Sequence, residues 1–160
     1  MSRSVYIASS WKNQHAVELL TAELRRLGIE VFSFVEAAST AETFRTVPFD
    51  EWCASAEGQA KFYYDVHHAM TAGLVIYIGP SGTDAWAEAG AAYGAEQIII
   101  GLWAKGEPAG LMRRMVSSWF NSTAPLLEYM AEWARAAGLD TPSARGIAEA
   151  IEQGGQGRED

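Results

Sequence analysis

The chain holds a single cysteine, Cys53, so no internal disulfide can staple it. With one thiol and only three histidines, His15, His67 and His68, it lacks the ligand set of a zinc cluster, and neither a metal nor a cofactor is expected. Cys53 itself reads as a small buried hydrophobe rather than a nucleophile. Basic residues are also scarce: 12 Lys+Arg stand against 20 Asp+Glu, a formal net charge of -8. No broad basic face can neutralise a phosphate backbone, which excludes an extended nucleic-acid partner and leaves room for a local anion site only. No apolar run approaches the roughly 20 residues that cross a bilayer, and the N-terminus lacks a basic-then-apolar leader pattern. A cytoplasmic protein without membrane contact is the expectation.

What is present is enough apolar material for one core: 49% of the 160 residues are hydrophobic. One domain is expected over residues 1–153, followed by a polar, disordered tail over 154–160. Four apolar, β-branched or aromatic runs, Ser4 to Ala8, Ile29 to Val35, Leu74 to Ile78 and Ile98 to Trp103, lack clean alternation, as strands buried on both faces should. Between the first two, Val17, Leu20, Leu24 and Leu27 recur at helical spacing and Gly28 supplies a stop. A second βαβ unit runs through a helix beginning near Asp84 and ending near Gly94. A short helix from Glu107-Pro108 through Met112 and a fifth, edge strand over Met115 to Phe120 are expected after it. Thr123 reads as the N-cap of a helix with Leu126 or Leu127, Met130 and Trp133 or Ala134 on one stripe, and Thr141-Pro142 as the start of another, with Ile147 and Ile151 inward. This alternation predicts an α/β three-layer sandwich: an open, mainly parallel five-stranded sheet of flavodoxin or Rossmann type, in the order 2-1-3-4-5. The segment from Ala37 to Tyr64 is too long for a simple connection. Its aromatics, Phe44, Phe49, Trp52, Phe62, Tyr63 and Tyr64, predict a helix that covers a ligand site or fills a satellite core.

Two turns carry the chemistry. Gly79-Pro80-Ser81-Gly82-Thr83-Asp84 follows one strand and opens a helix that bears Glu88, and Ser9-Ser10-Trp11-Lys12-Asn13 follows the first strand. In a parallel sheet both emerge at the carboxyl edge, where strands one and three meet and ligands bind. Ser9, Ser10, Ser81, Gly82 and Thr83 are therefore expected to line one crevice, their hydroxyls and free N–H groups suiting a phosphate, with Lys12 adding charge. Each hydroxyl has helix capping as its alternative role, and Asp84 either joins the site or caps its helix. Adjacent His67 and His68 diverge by about 100° on a helix and read as solvated or packed side chains. Arg113 and Arg114 read as helix-end surface residues.

Tyr6-Ile7-Ala8-Ser9-Ser10-Trp11-Lys12, Asp65 ahead of Gly73 and the next strand, and Gly82 through Glu88-Ala89-Gly90 together resemble the nucleoside 2-deoxyribosyltransferase superfamily, which includes nucleoside monophosphate N-glycosidases. The likeness spans about residues 4 to 130. It implies that Glu88 attacks the anomeric carbon, that Asp65 orients or protonates the leaving base, and that Ser10 and the Ser81 turn hold a 5′-phosphate. Tyr6, Ser9, Lys12, Gly82, Thr83 and Asp84 complete the expected substrate site. The chemistry fits the side chains: N-glycosidic cleavage develops oxocarbenium character that one carboxylate traps while a second carboxyl handles the proton. Pro80-Ser81-Gly82-Thr83-Asp84 departs from the family's usual turn, its serine one residue further from the glutamate. The Ser81-Gly82-Thr83 run before Glu88 also resembles the Pro-Gly-Gly-x-Gly-Thr-x-x-Glu motif of cytokinin riboside monophosphate phosphoribohydrolases, with a longer gap to the glutamate. The expected partner is a small nucleoside or nucleotide, and the resemblance implies a homodimer or higher homo-oligomer. A non-catalytic nucleotide sensor and a TIR-like NAD nucleosidase, with Trp86 beside Glu88, are the alternatives.

Overall fold

The computed structural model describes residues 3–36, 47–108 and 110–139. Five strands, β1 (Ser4–Ala8), β2 (Glu30–Ser33), β3 (Leu74–Ile78), β4 (Ile98–Leu102) and β5 (Ser118–Phe120), make one sheet in the order β2-β1-β3-β4-β5, with every neighbouring pair parallel. The helices are α1 (Gln14–Arg26), α2 (Phe49–Ala54), α3 (Ala56–Thr71), α4 (Thr83–Gly94) and α5 (Thr123–Ala136). The expected three-layer α/β sandwich and its strand order are the observed ones.

The period-two geometry of the strands divides the core into two halves. Val5, Ile7, Leu74, Ile76, Ile78 and Ile100 point to one face and meet Val17, Leu20 and Leu24 of α1 and Leu126, Met130 and Ala134 of α5. Tyr6, Ala8, Val75, Tyr77 and Ile99 point to the other and meet Ala69 of α3 and Ala85, Ala89 and Ala92 of α4. Every residue of β1 and β3 is buried, which is why those two runs show no polar alternation and why their sequence bounds coincide with the strands. On the second face the helices contribute mostly alanine.

Three helices end in the same motif, in which a residue in the left-handed region follows the cap and two backbone bonds close back on the last turn. Gly28 at φ 77° serves α1, with Ile29 N–H donating to Leu24 C=O at 3.2 Å, and Gly138 at φ 75° serves α5. For α4, which ends at Gly94 as expected, the residue is Glu96, at φ 59°. Other boundaries moved. The helix expected from Glu107 to Met112 is a 3-10 turn over Leu111–Met115, and β5 begins at Ser118 because the preceding residues are spent on that turn. Ser122, with extended backbone, caps α5 while Thr123 is already helical. The long segment before β3 holds two helices, α2 and α3, the second capped by Ser55, whose side chain accepts from Gly58 N–H at 3.1 Å. Phe44, the Thr141-Pro142 helix with Ile147 and Ile151, and the tail over 154–160 lie outside the described residues. Among the described residues no helix is long and apolar enough to cross a membrane.

Candidate active site

The carboxyl edges of β1 and β3 are stitched together by three polar side chains. Ser9 Oγ donates to Ile78 C=O at 3.0 Å and lies 3.2 Å from Ser81 Oγ, which itself donates to the same carbonyl at 2.7 Å. Asn13 Nδ2 closes the group, donating to Ser9 Oγ at 3.1 Å and Pro80 C=O at 3.0 Å. The two turns therefore meet as expected, but Ser9 and Ser81 spend their hydroxyls on the fold. Ser81 does not face the cavity beside them. Ser10 does, and its buried Oγ has no partner among the described residues.

That cavity opens at the sheet edge with a volume of about 1340 Å³, at or beyond the upper end of ordinary small-ligand sites. Ser9, Ser10, Gly82, Thr83 and Asp84 form its floor, and Phe34, Phe49, Trp52 and Phe62 its apolar wall. Cys53 lines it too and is exposed, contrary to the expectation of burial, because α2 is a short surface helix that turns only Trp52 into the core. The expected phosphate cation, Lys12, is exposed and does not line the cavity: the 3-10 turn of Trp11–Asn13 puts Trp11 there instead. Among the described residues the cation that lines it is Lys61, one helical turn before Asp65, a residue the sequence reading passed over.

Glu88 lies on the inward stripe of α4 with Ala85, Ala89 and Ala92, so a carboxylate occupies a core position and only 8% of the residue is exposed. Its Oε2 has no hydrogen-bond partner among the described residues. Burial first, then the negative charge of Asp65, push the Glu88 carboxyl up to about 8, against the opposing pull of Tyr6 and Lys61. Asp65 projects from α3 toward it. Tyr6 Oη donates to Asp65 Oδ1 at 3.2 Å with Glu88 close by, and Lys61 Nζ pairs with Asp65 Oδ2. Burial raises the Asp65 carboxyl, with Lys61 the largest opposing influence. Tyr6 is itself fully buried, its hydroxyl held well above the usual phenol range by burial and by the two carboxyls, and it joins them from beneath rather than lining the cavity.

His67, His68, Trp86 and Arg113 do not line the cavity. His68 stacks on Phe32 at 3.8 Å between ring centres and burial lowers its pKa, while His67 is exposed. Trp86 packs on Tyr77 at 4.4 Å and does not line the cavity. Arg113 lies over the Trp119 ring at 4.5 Å.

Among solved structures, a 2-deoxyribosyltransferase from Bacillus psychrosaccharolyticus matches with a TM-score of 0.60 at 22% identity, covering 78% of this chain and 90% of that one. A conserved protein from Enterococcus faecalis matches with a TM-score of 0.56 at 13% identity, over 82% of this chain and 99% of that one. The CMP N-glycosidase BcmB of Clostridium botulinum matches with a TM-score of 0.50 at 18% identity, over 79% and 97%. No family model and no curated protein matches the chain. The architecture that the Tyr6, Asp65 and Glu88 blocks implied is thus the one observed: this chain has the nucleoside 2-deoxyribosyltransferase-like fold.

Proposed function

We propose that the protein cleaves the N-glycosidic bond of a nucleoside or nucleoside 5′-monophosphate, releasing the base to water or exchanging it for another. The observation that carries this reading is the buried Asp65/Glu88 pair, gathered beside one tyrosine hydroxyl at the wall of an open cavity. Two carboxyls with raised pKa values in such a place are costly to the fold, and glycosyl chemistry needs such a pair. Glu88 is the nucleophile or cation stabiliser and Asp65 the acid/base partner. Ser10 and the N-terminus of α4 at Gly82 and Thr83 are the sugar-phosphate contacts, and the aromatic wall faces the base. The fold shared with a 2-deoxyribosyltransferase and a CMP N-glycosidase supports the same reading.

The position of Trp86, packed on Tyr77 outside the cavity, favours mononucleosides over an NAD-cleaving reaction. Assembly into a homodimer or larger homo-oligomer is part of the proposal, on a different footing from the tryptophans. Trp86, Trp119 and Trp133 pack within the chain, and the exposed apolar surface is that of Phe49, Phe62 and Tyr63, each more than half exposed on α2 and α3. Chromatographic detection of free base from a panel of nucleosides, 5′-monophosphates and NAD tests the activity, with Glu88→Ala as the control that abolishes it. Base release from none of the mononucleosides, or undiminished release by Glu88→Ala, refutes the reading.

A further inference from the structure

Lys61 is the one cation that lines the cavity among the described residues, and the fold uses only part of it. Its Nζ pairs with Asp65 Oδ2, and 9% of the side chain is exposed. An ammonium carries three N–H donors, so two remain, and neither has a hydrogen-bond partner among the described residues. The rings of Phe34 and Tyr64 stand beside it, their centres 5.9 and 5.8 Å from Nζ, and offer it only their π systems. Asp65 is fixed at its other oxygen, Oδ1 accepting from Tyr6 at 3.2 Å, so the carboxylate holds the ammonium in place. Donors left unmade in so buried a group are costly, and the two free N–H groups call for an acceptor that arrives with the substrate.

On the reading of the reaction given above, we propose that Lys61 is a substrate contact: its free N–H groups bind the leaving base at the acceptor next to the glycosidic nitrogen, the 2-carbonyl oxygen of a pyrimidine or N3 of a purine. Its place in the cavity favours the base over the phosphate. Lys61 comes from α3, next to Phe62 of the apolar wall and one turn from Asp65, whereas Ser10, Gly82 and Thr83 come from the turns at the sheet edge. When the C–N bond breaks, its electron pair passes to the ring nitrogen and is shared with the adjacent acceptor, where the ammonium stabilises it. The ring nitrogen then takes the proton of Asp65, and the carboxylate so formed regains the ammonium as its ion-pair partner. Lys61 gives up no proton at any stage. Of the two acceptors the carbonyl oxygen suits a compact point charge better, so the effect should be larger for pyrimidines.

Calorimetry with free bases tests the contact without turnover. The pairs are uracil with 4-pyrimidinone, the same ring without the 2-oxygen, and adenine with 3-deazaadenine, in which carbon replaces N3. The wild type should bind the complete base of at least one pair more tightly, by roughly ten- to a hundredfold for a hydrogen bond to a charged group, and Lys61→Met should erase that difference. Lys12→Met removes the same charge outside the cavity and should keep it. A difference absent from both pairs in the wild type, or retained in a folded Lys61→Met protein, overturns the contact. So does a loss in Lys61→Met that is confined to a 5′-monophosphate and absent from its nucleoside, which would give the ammonium to the phosphate. Should Lys61→Met not fold because Asp65 is left unpaired, adding Asp65→Asn removes the stranded charge and makes the same comparison. If no mononucleoside releases base, the reaction reading fails, while base binding still decides the contact.

Discussion

Replacing Glu88 by Gln should make the protein more stable in mild alkali and leave it unchanged in mild acid. Burial moves the carboxyl from its ordinary value of 4.5 to about 8, so between those values the folded state holds a proton that the unfolded chain has released. Each pH unit in that window then lowers the stability of the wild type by ~1.4 kcal/mol, and the loss saturates once the folded-state value is passed. Across the whole window the penalty is on the order of 3–5 kcal/mol, a large share of the 5–15 kcal/mol of a typical domain. Below about pH 4 both states are protonated and the penalty vanishes. Gln keeps the shape and the hydrogen-bonding ability of the protonated acid but cannot ionise, so it removes the pH-dependent penalty and nothing else. Urea unfolding of both proteins at about pH 5, 7 and 9 gives the difference directly. It should be small at the first and reach several kcal/mol at the last. Parallel stability curves for the two proteins would show that Glu88 is not held protonated by the fold, and the account of the buried pair would fail with it.

Asp65→Asn should lower kcat by roughly 10²–10⁴-fold, the usual value of a general acid, with a smaller change in KM, since its work is in the transition state; a change confined to KM in steady-state kinetics removes the acid/base role. Ser10→Ala should weaken binding of a 5′-monophosphate more than of its nucleoside, by about 1 kcal/mol in calorimetry, because its buried hydroxyl beside the cavity has no partner among the described residues. Ser81→Ala should instead cost about 1 kcal/mol of folding stability and leave that preference intact, since its hydroxyl bonds Ile78 C=O; the opposite pattern would restore Ser81 as the phosphate contact. Glu96→Gly should stabilise the protein by roughly 1 kcal/mol in thermal unfolding, because a side chain is strained at φ 59°; a lower melting temperature contradicts this account of the α4 terminus.

Much of the architecture was legible because it is written in local periodicity. The β1 and β3 runs are uniformly apolar since both faces of the central strands are covered, and the α1 stripe of Val17, Leu20 and Leu24 repeats at the helical interval because one face meets the sheet. The Gly28 stop was equally readable, as glycine accepts the left-handed conformation without strain. Glu96 was not, because nothing about a glutamate announces that conformation. The edge strand β5 and the 3-10 turn before it were displaced by a few residues, the usual limit where short elements lack a full repeat.

The candidate site divides along the same line. The family resemblance pointed to Asp65 and Glu88, which the fold brings into one electrostatic neighbourhood, and that the two small-residue turns share an edge followed from the parallel sheet. Which side chains face the cavity did not. Lys12 and Lys61 are equally charged in the sequence, yet only the second enters the cavity, because α3 aims it at Asp65 while the turn after β1 sends the first to solvent. Ser10 and Ser81 look alike as hydroxyls in small turns, and only the bonds to Ile78 and Ser9 consign one of them to the fold. Tyr6 touches Asp65 across 59 residues of chain. Local sequence dictates periodicity and turn chemistry, because these depend on neighbours along the chain. The buried cluster of Lys61, Asp65, Tyr6 and Glu88 exists only once β1, α3 and α4 are packed together, because burial and charge proximity are properties of the assembled core.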